Sequence, residues 1–203
     1  DEQIEAWVKK NPDKILQAIM DHQKNEQQKN APKPEMVKEN SSALFAETSP
    51  SVGKGPVKIA YFFDFNCGHC AKQSQTIKDV IAKTNGKVQV FYKNFAVLGP
   101  SSEMSARAAL AAHQQGKYME YYNELYKVRD KNTEALKGIA KKIKLDVKKW
   151  EADMNGEVVN QEIDRTRDLA NKMKIRGTPF LAIAPDKVFP GRVDELLGIV
   201  QSL

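Results

Sequence analysis

The chain has 203 residues, 41% hydrophobic and 29% charged, enough apolar material for a sizeable core. No apolar run approaches the ~18–20 residues that a membrane-spanning helix needs, so nothing in the sequence reads as crossing a bilayer. The formal net charge of +6 is spread over interleaved Lys and Asp/Glu, and Lys-rich stretches such as Lys137 to Lys149 keep helical apolar spacing. That pattern points to solvated helix faces and away from a nucleic-acid partner.

The opening Asp1-Glu2-Gln3, without an initiating Met, is read as the start of a secreted chain whose leader has been removed. Residues 1–30 form a unit of their own. Ile4, Trp7 and Val8 line a short helix that stops at Lys10-Asn11-Pro12. Asn11 is expected to cap a second helix, with Pro12 in its first turn, where a missing N–H costs nothing. Ile15, Leu16, Ile19 and Met20 then form an apolar stripe at helical spacing, followed by a wholly polar stretch from His22 to Asn30. An amphipathic helix of this length is marginal alone and needs a partner surface, so the arm is expected to self-associate. Residues 31–43, polar and containing Pro32 and Pro34, read as a weakly structured spacer.

The main domain is expected over residues 44–203. Ala43 to Gly55 reads as a short strand followed by a loop, and Val57 to Phe65 as a buried strand. A helix from the cysteine pair to about Thr84 carries Ile77, Val80 and Ile81 inward. Asn85-Gly86 then turns the chain into a strand from Val88 to Phe95. The result is a βαβ unit with its reactive group at the carboxyl end of a strand. Residues 103–174 read as a helical block, with Tyr118, Tyr121, Tyr122 and Trp150 as core aromatics. Strand returns at Thr178 to Ile183 and at Lys187-Val188-Phe189, followed by a last helix over about Val193 to Ser202.

Cys67 and Cys70, the only two cysteines, sit in Asn66-Cys67-Gly68-His69-Cys70 directly after the apolar strand. At a helix start, unpaired N–H groups and the positive dipole end favour a thiolate. In such pairs the thiolate pKa falls from about 8.5 to roughly 3.5–7.5. A structural zinc needs four ligands, and His22, His69 and His113 lie far apart with no ligand spacing, so no metal site is expected. A disulfide closing a two-residue loop removes little chain entropy, which argues against a purely structural bridge. The pair reads as a dithiol–disulfide exchange site that needs no further cofactor.

A strand, Cys-Gly-His-Cys on a helix, a second strand, a helical block and then Arg176-Gly177-Thr178-Pro179-Phe180 resemble the DsbA family of thioredoxin-fold oxidoreductases. Trp7 to Leu16 further resembles the N-terminal oligomerisation segment of ScsC-like and Com1-like members. The resemblance implies an α/β thioredoxin fold with an inserted helical domain, preceded by a helical oligomerisation arm. It implies Cys67 as exposed nucleophile and Cys70 as buried resolving thiol, with Gly68 and His69 between them. A cis Pro179 after Thr178 would face the pair and help bind substrate. Gly68-His69 matches protein disulfide isomerase, and Thr178 matches disulfide isomerases such as DsbC.

One position departs from the wider superfamily, in which a buried carboxylate six residues before the first cysteine can relay the resolving thiol's proton. That position is Tyr61, and Asp64 falls on a different register, so no buried base is assigned.

The implied function is a periplasmic enzyme that forms or isomerises disulfides in cysteine-containing secreted clients. A membrane redox partner would reset it, and it would work as a homo-oligomer, dimer or trimer. The rival reading is a copper-handling or client-holding chaperone using the same two thiolates as ligands, weakened by the lack of a flanking methionine cluster.

Overall fold

The computed structural model describes the backbone of residues 1–29 and 31–203 and, apart from Glu2 and residues 23–29, their side chains. Most of the polar stretch expected from His22 to Asn30 therefore has side chains outside the described residues. The chain divides into two compact units, Asp1–Pro32 and Lys33–Leu203.

The first unit is two helices, α1 (Glu2–Lys10) and α2 (Pro12–Lys29). Asn11 does not use its side-chain amide on α2. That group donates to Trp7 O at 2.8 Å and closes α1, while the Asn11 carbonyl accepts from Ile15 N. Lys14 lies over the Trp7 ring, 6.0 Å from its centroid. Within this unit Ile4, Trp7, Val8, Leu16, Ile19 and Met20 are exposed, and Ile15 is half-buried.

The second unit begins earlier than the sequence suggested. The spacer expected over residues 31–43 is folded from Glu35 onward, into α3 (Glu35–Glu39) and the single turn α4 (Ser41–Leu44). Val37 and Leu44, seven residues apart, are wholly buried and supply the apolar contact that polar composition concealed. The strand expected after Ala43 comes later, as β1 (Ser51–Gly53).

β2 (Val57–Phe63), α5 (Gly68–Lys83) and β3 (Val88–Asn94) follow, with β2 and β3 parallel. Five helices then intervene: α6 (Pro100–His113), α7 (Tyr118–Leu125), α8 (Thr133–Lys142), α9 (Val147–Asp153) and α10 (Glu157–Lys172). β4 (Phe180–Ile183), β5 (Lys187–Pro190) and α11 (Leu196–Gln201) complete the unit. The sheet order is β1-β3-β2-β4-β5, with every pairing but β2–β3 antiparallel.

β2 lies at the centre and is buried on both faces, which explains its unbroken apolar run. Because side chains alternate along a strand, Ile59, Tyr61 and Phe63 face a core shared with α5, α6 to α9 and α11. Ala60 and Phe62 face a second core with Val37, Leu44, Leu169, Ala170 and Met173. α10 serves both, with Val159 and Ile163 in the first cluster. Tyr118, Tyr121, Tyr122 and Trp150 are buried, and Trp150 Nε1 donates to Ala108 O at 2.8 Å.

Candidate active site

β2 ends at Phe63, and four residues later Cys67 occupies the N-cap of α5 in an extended conformation (φ −82°, ψ 115°). Cys67 is half-buried, Gly68 and His69 are exposed, and Cys70 is wholly buried on the inner face of the first turn. Both thiols are free. A helix start directs unpaired N–H groups outward and favours an anion beside it. Burial pushes the Cys70 thiol up to about 12. One sulfur is therefore reachable at the positive end of a helix, while the other is held protonated beneath it.

The Thr178–Pro179 peptide bond is cis, and the Cys67 thiol donates to Thr178 O at 3.4 Å. The structure thus brings together Cys67, Gly68, His69, Cys70, Thr178 and Pro179, separated by more than a hundred residues in the chain. A second cis bond, Ala184–Pro185, lies in the β4–β5 turn. Beside the cysteines runs an open groove of about 460 Å³ lined by His69, Lys72, Thr178, Pro179, Gly191, Arg192 and Asp194. Gln73, buried on α5, anchors its far wall by accepting from Val193 N at 2.7 Å and donating to Val193 O at 3.3 Å.

Asp64 has a role that the sequence did not reveal. Its Oδ1 accepts from Asn66 N and Ser102 Oγ, each at 2.8 Å. Its Oδ2 accepts from Val97 N at 2.8 Å and Leu98 N at 3.0 Å. The carboxylate therefore ties the turn that presents Cys67 to the loop after β3 and to the start of α6. Asn66 Nδ2 adds bonds to Ser101 and Ser102 Oγ. Both carboxylate oxygens are thus engaged twice, and Asp64 is a structural knot. The Asp-Phe-Asn-Cys run was visible in sequence, but its partners lie more than thirty positions away.

A second buried polar cluster lies on the other side of the sheet. Lys93 Nζ donates to Ala43 O and Ser49 Oγ, each at 2.7 Å, and Ser49 Oγ donates to Glu162 Oε1 at 2.6 Å. These bonds hold the α4–β1 segment against β3 and α10. Burial lowers the Lys93 pKa to about 8, partly opposed by Glu162.

The cysteine pair thus sits at a strand-to-helix junction facing a cis-proline, in a domain whose helices α6 to α10 are inserted between β3 and β4. Residues 58–197 match the DSBA-like thioredoxin domain. The chain belongs to that family. Its class of chemistry is accordingly that of a disulfide oxidoreductase. Among relatives of the DSBA-like chain, a "Probable disulfide bond formation protein D" of Bacillus cereus is 30% identical over 162 residues, 72% of this chain and 75% of that protein. A thioredoxin-like oxidoreductase from Silicibacter pomeroyi superposes with a TM-score of 0.74 at 30% identity, over 80% of this chain and 96% of its own. The thiol-disulfide exchange protein alpha-DsbA2 of Wolbachia pipientis gives 0.74 at 26% identity, over 82% and 91%. No helix among the described residues is long and apolar enough to cross a membrane.

Proposed function

We propose that this DSBA-like protein forms and reshuffles disulfides in cysteine-containing secreted proteins of a bacterial periplasm, through Cys67 and Cys70. The observation that carries the reading is the asymmetry of the pair, with a half-exposed sulfur at a helix start and a buried sulfur pushed up to about 12. In the oxidised protein a client thiolate attacks Cys67 Sγ. The client–Cys67 bond forms as the Cys67–Cys70 bond breaks, and Cys70 leaves with the electron pair and is protonated. A second client thiolate then attacks the client sulfur of the mixed disulfide, and Cys67 departs as thiolate. The client is oxidised, the pair is reduced, and a membrane redox partner takes the two electrons to reset it. Starting from the reduced form, Cys67 attacks a wrong client disulfide, and isomerisation proceeds through the same mixed species.

The groove supports an extended client segment beside Cys67, with Thr178 and Pro179 on its wall and His69 and Lys72 on its rim. The exposed apolar residues Ile4, Trp7, Val8, Leu16, Ile19 and Met20, with half-buried Ile15, support a homo-oligomer built by the N-terminal arm. Such an assembly presents several sites to one client and raises their effective concentration, which suits isomerisation.

Oxidation of reduced ribonuclease and recovery of scrambled ribonuclease test the proposal. The Cys67→Ala variant should lose both activities. The Cys70→Ala variant should accumulate mixed disulfides that gel electrophoresis without reductant displays. Ribonuclease oxidation by Cys67→Ala at the parent's rate refutes the assignment.

A further inference from the structure

The groove beside Cys67 has two walls, and their side chains carry unequal charge. One wall is the start of α5, with His69 and Lys72; the other is the segment 191–194, with Arg192 and Asp194. Two sets of hydrogen bonds fix the second wall. Gly191 N donates to Pro179 O at 2.9 Å, and the buried Gln73 side chain holds both main-chain groups of Val193, at 2.7 and 3.3 Å. Arg192 is thus pinned on either side. The clamp joins residues 120 positions apart and brings their immediate neighbours, Lys72 and Arg192, to one groove.

With His69 counted as neutral, the groove lining holds two cations and one carboxylate. That carboxylate is already engaged, since Asp194 Oδ2 accepts from Arg192 Nη2 at 2.6 Å. The bond uses one of the five N–H donors of a guanidinium, and Arg192 makes no other side-chain hydrogen bond among the described residues. Lys72 is exposed and makes no hydrogen bond or ion pair among the described residues. A cationic client side chain placed here would face like charge, whereas an anionic one would meet two uncommitted donors. Reach agrees with this. Lys72 stands five residues after Cys67, about 7–8 Å along the helix axis, which an extended client segment covers in about two residues.

We propose that Lys72 and Arg192 form an acid-selecting subsite of this groove, favouring client segments that carry a Glu or Asp side chain within two residues of the reactive cysteine. This rests on thiol–disulfide exchange at Cys67 and Cys70 and names the class of client that the exchange prefers. The subsite meets the client away from its sulfur, so it acts on encounter and docking and leaves the bond-making step as it stands. Gln73 is the positioning residue, since its clamp on Val193 holds the Arg192 wall against α5. An exposed charge pair is weak by itself, about threefold in affinity, and two together give a preference of about tenfold.

The test uses the full oxidised chain and three synthetic dithiol peptides that differ only in the residues flanking their cysteines: Glu, Gln or Lys. Quenched-flow alkylation read by mass spectrometry gives the second-order rate of oxidation of each. Dividing by the same peptide's rate with hydroxyethyl disulfide, a neutral small oxidant, removes the effect of flanking charge on the peptide thiols. The normalised Glu-to-Lys ratio should be about tenfold in low salt. It should fall to within about twofold of unity in 1 M salt, where the screening length is about 3 Å. Lys72→Glu and Arg192→Glu should each lower the low-salt ratio by about threefold or more, and the double variant should bring it below one. Any effect of a substitution on Cys67 itself is common to the three peptides and cancels. Lys148→Glu makes the same charge change at an exposed position on α9 and should leave the ratio within about 1.5-fold of the parent's. A parent ratio within about twofold of unity in low salt overturns the proposal, as does a preference that survives 1 M salt or the double substitution. An equal loss in Lys148→Glu also overturns it, because net charge would then suffice. A parent that oxidises none of the peptides refutes the underlying exchange function, an outcome distinct from equal oxidation of all three.

Discussion

Replacing Asp64 by Asn changes one atom's chemistry and leaves its shape. The carboxylate accepts four hydrogen bonds: from the main-chain N–H groups of Asn66, Val97 and Leu98, and from the Ser102 hydroxyl. An amide has one oxygen. Its better orientation keeps that oxygen on Val97 N and Leu98 N and turns the NH₂ toward Asn66 N and Ser102 Oγ. Ser102 can reverse and accept, but Asn66 N then faces another donor. One charge-assisted bond is lost outright and two are weakened, and hydrogen bonds to charged groups contribute about 1.5–3 kcal/mol each. Partial access of water to the Val97–Leu98 loop, whose side chains are exposed, brings the expected cost to about 2 kcal/mol. At ~2–4 °C per kcal/mol for a unit of this size, the melting temperature should fall by about 4–8 °C. The turn carrying Cys67 should loosen with it, so iodoacetamide should alkylate Cys67 at an altered rate. Urea unfolding of the reduced protein and a timed alkylation series measure both effects. Stability within about 0.5 kcal/mol of the parent, together with unchanged Cys67 alkylation, would sink the idea that Asp64 knots the site.

At pH 8 a thiol with a pKa of about 12 is ionised to roughly one part in ten thousand, so Cys70 in a Cys67→Ser chain should resist iodoacetamide while Cys67 in a Cys70→Ser chain reacts readily. Mass spectrometry that finds the two alkylated at similar rates contradicts the burial argument. Lys93 should give a distinctive pH dependence. Its folded pKa of about 8 lies below the ordinary 10.5, so between those values the unfolded chain binds the extra proton and stability rises with pH. Lys93→Met should flatten the curve over that window. Tyrosines with raised pKa values, such as Tyr92, lower stability above about pH 10 in both proteins and cancel in the difference. Identical urea midpoints against pH for parent and variant would discount the Lys93 shift. Deleting residues 1–32 should leave a folded, exchange-competent monomer with reduced recovery of scrambled ribonuclease. Each large apolar side chain buried in an arm interface is worth about 1.5–3 kcal/mol. A truncated protein that still sediments as an oligomer would move the interface elsewhere.

Sequence alone determined the elements whose causes are local. The unbroken apolar run Ile59 to Phe63 had to be a doubly buried strand, and Cys67 and Cys70 had to fall in the first turn of the helix after it. Two short helices in a thin, polar stretch escaped this reading. Residues 35–39 and 41–44 fold because two side chains, Val37 and Leu44, find a core formed by β2, β4 and α10. Composition averages over a segment, whereas burial of two residues can decide its conformation. The same limit applies to polar residues. Asp64 reads as a turn residue and Glu162 as one more charge on a helix. Their partners, Val97, Leu98 and Ser102 in one case and Ser49 in the other, lie 33 to 38 and 113 positions away. Lys93 and Tyr61 each alternate correctly along a strand, but only the packed sheet decides that one meets Ser49 and the other Cys70. Periodicity reports which face a side chain takes, and the tertiary fold alone sets which donor or acceptor it meets there, because a buried polar group must be satisfied by whatever the packing brings within 3 Å or so.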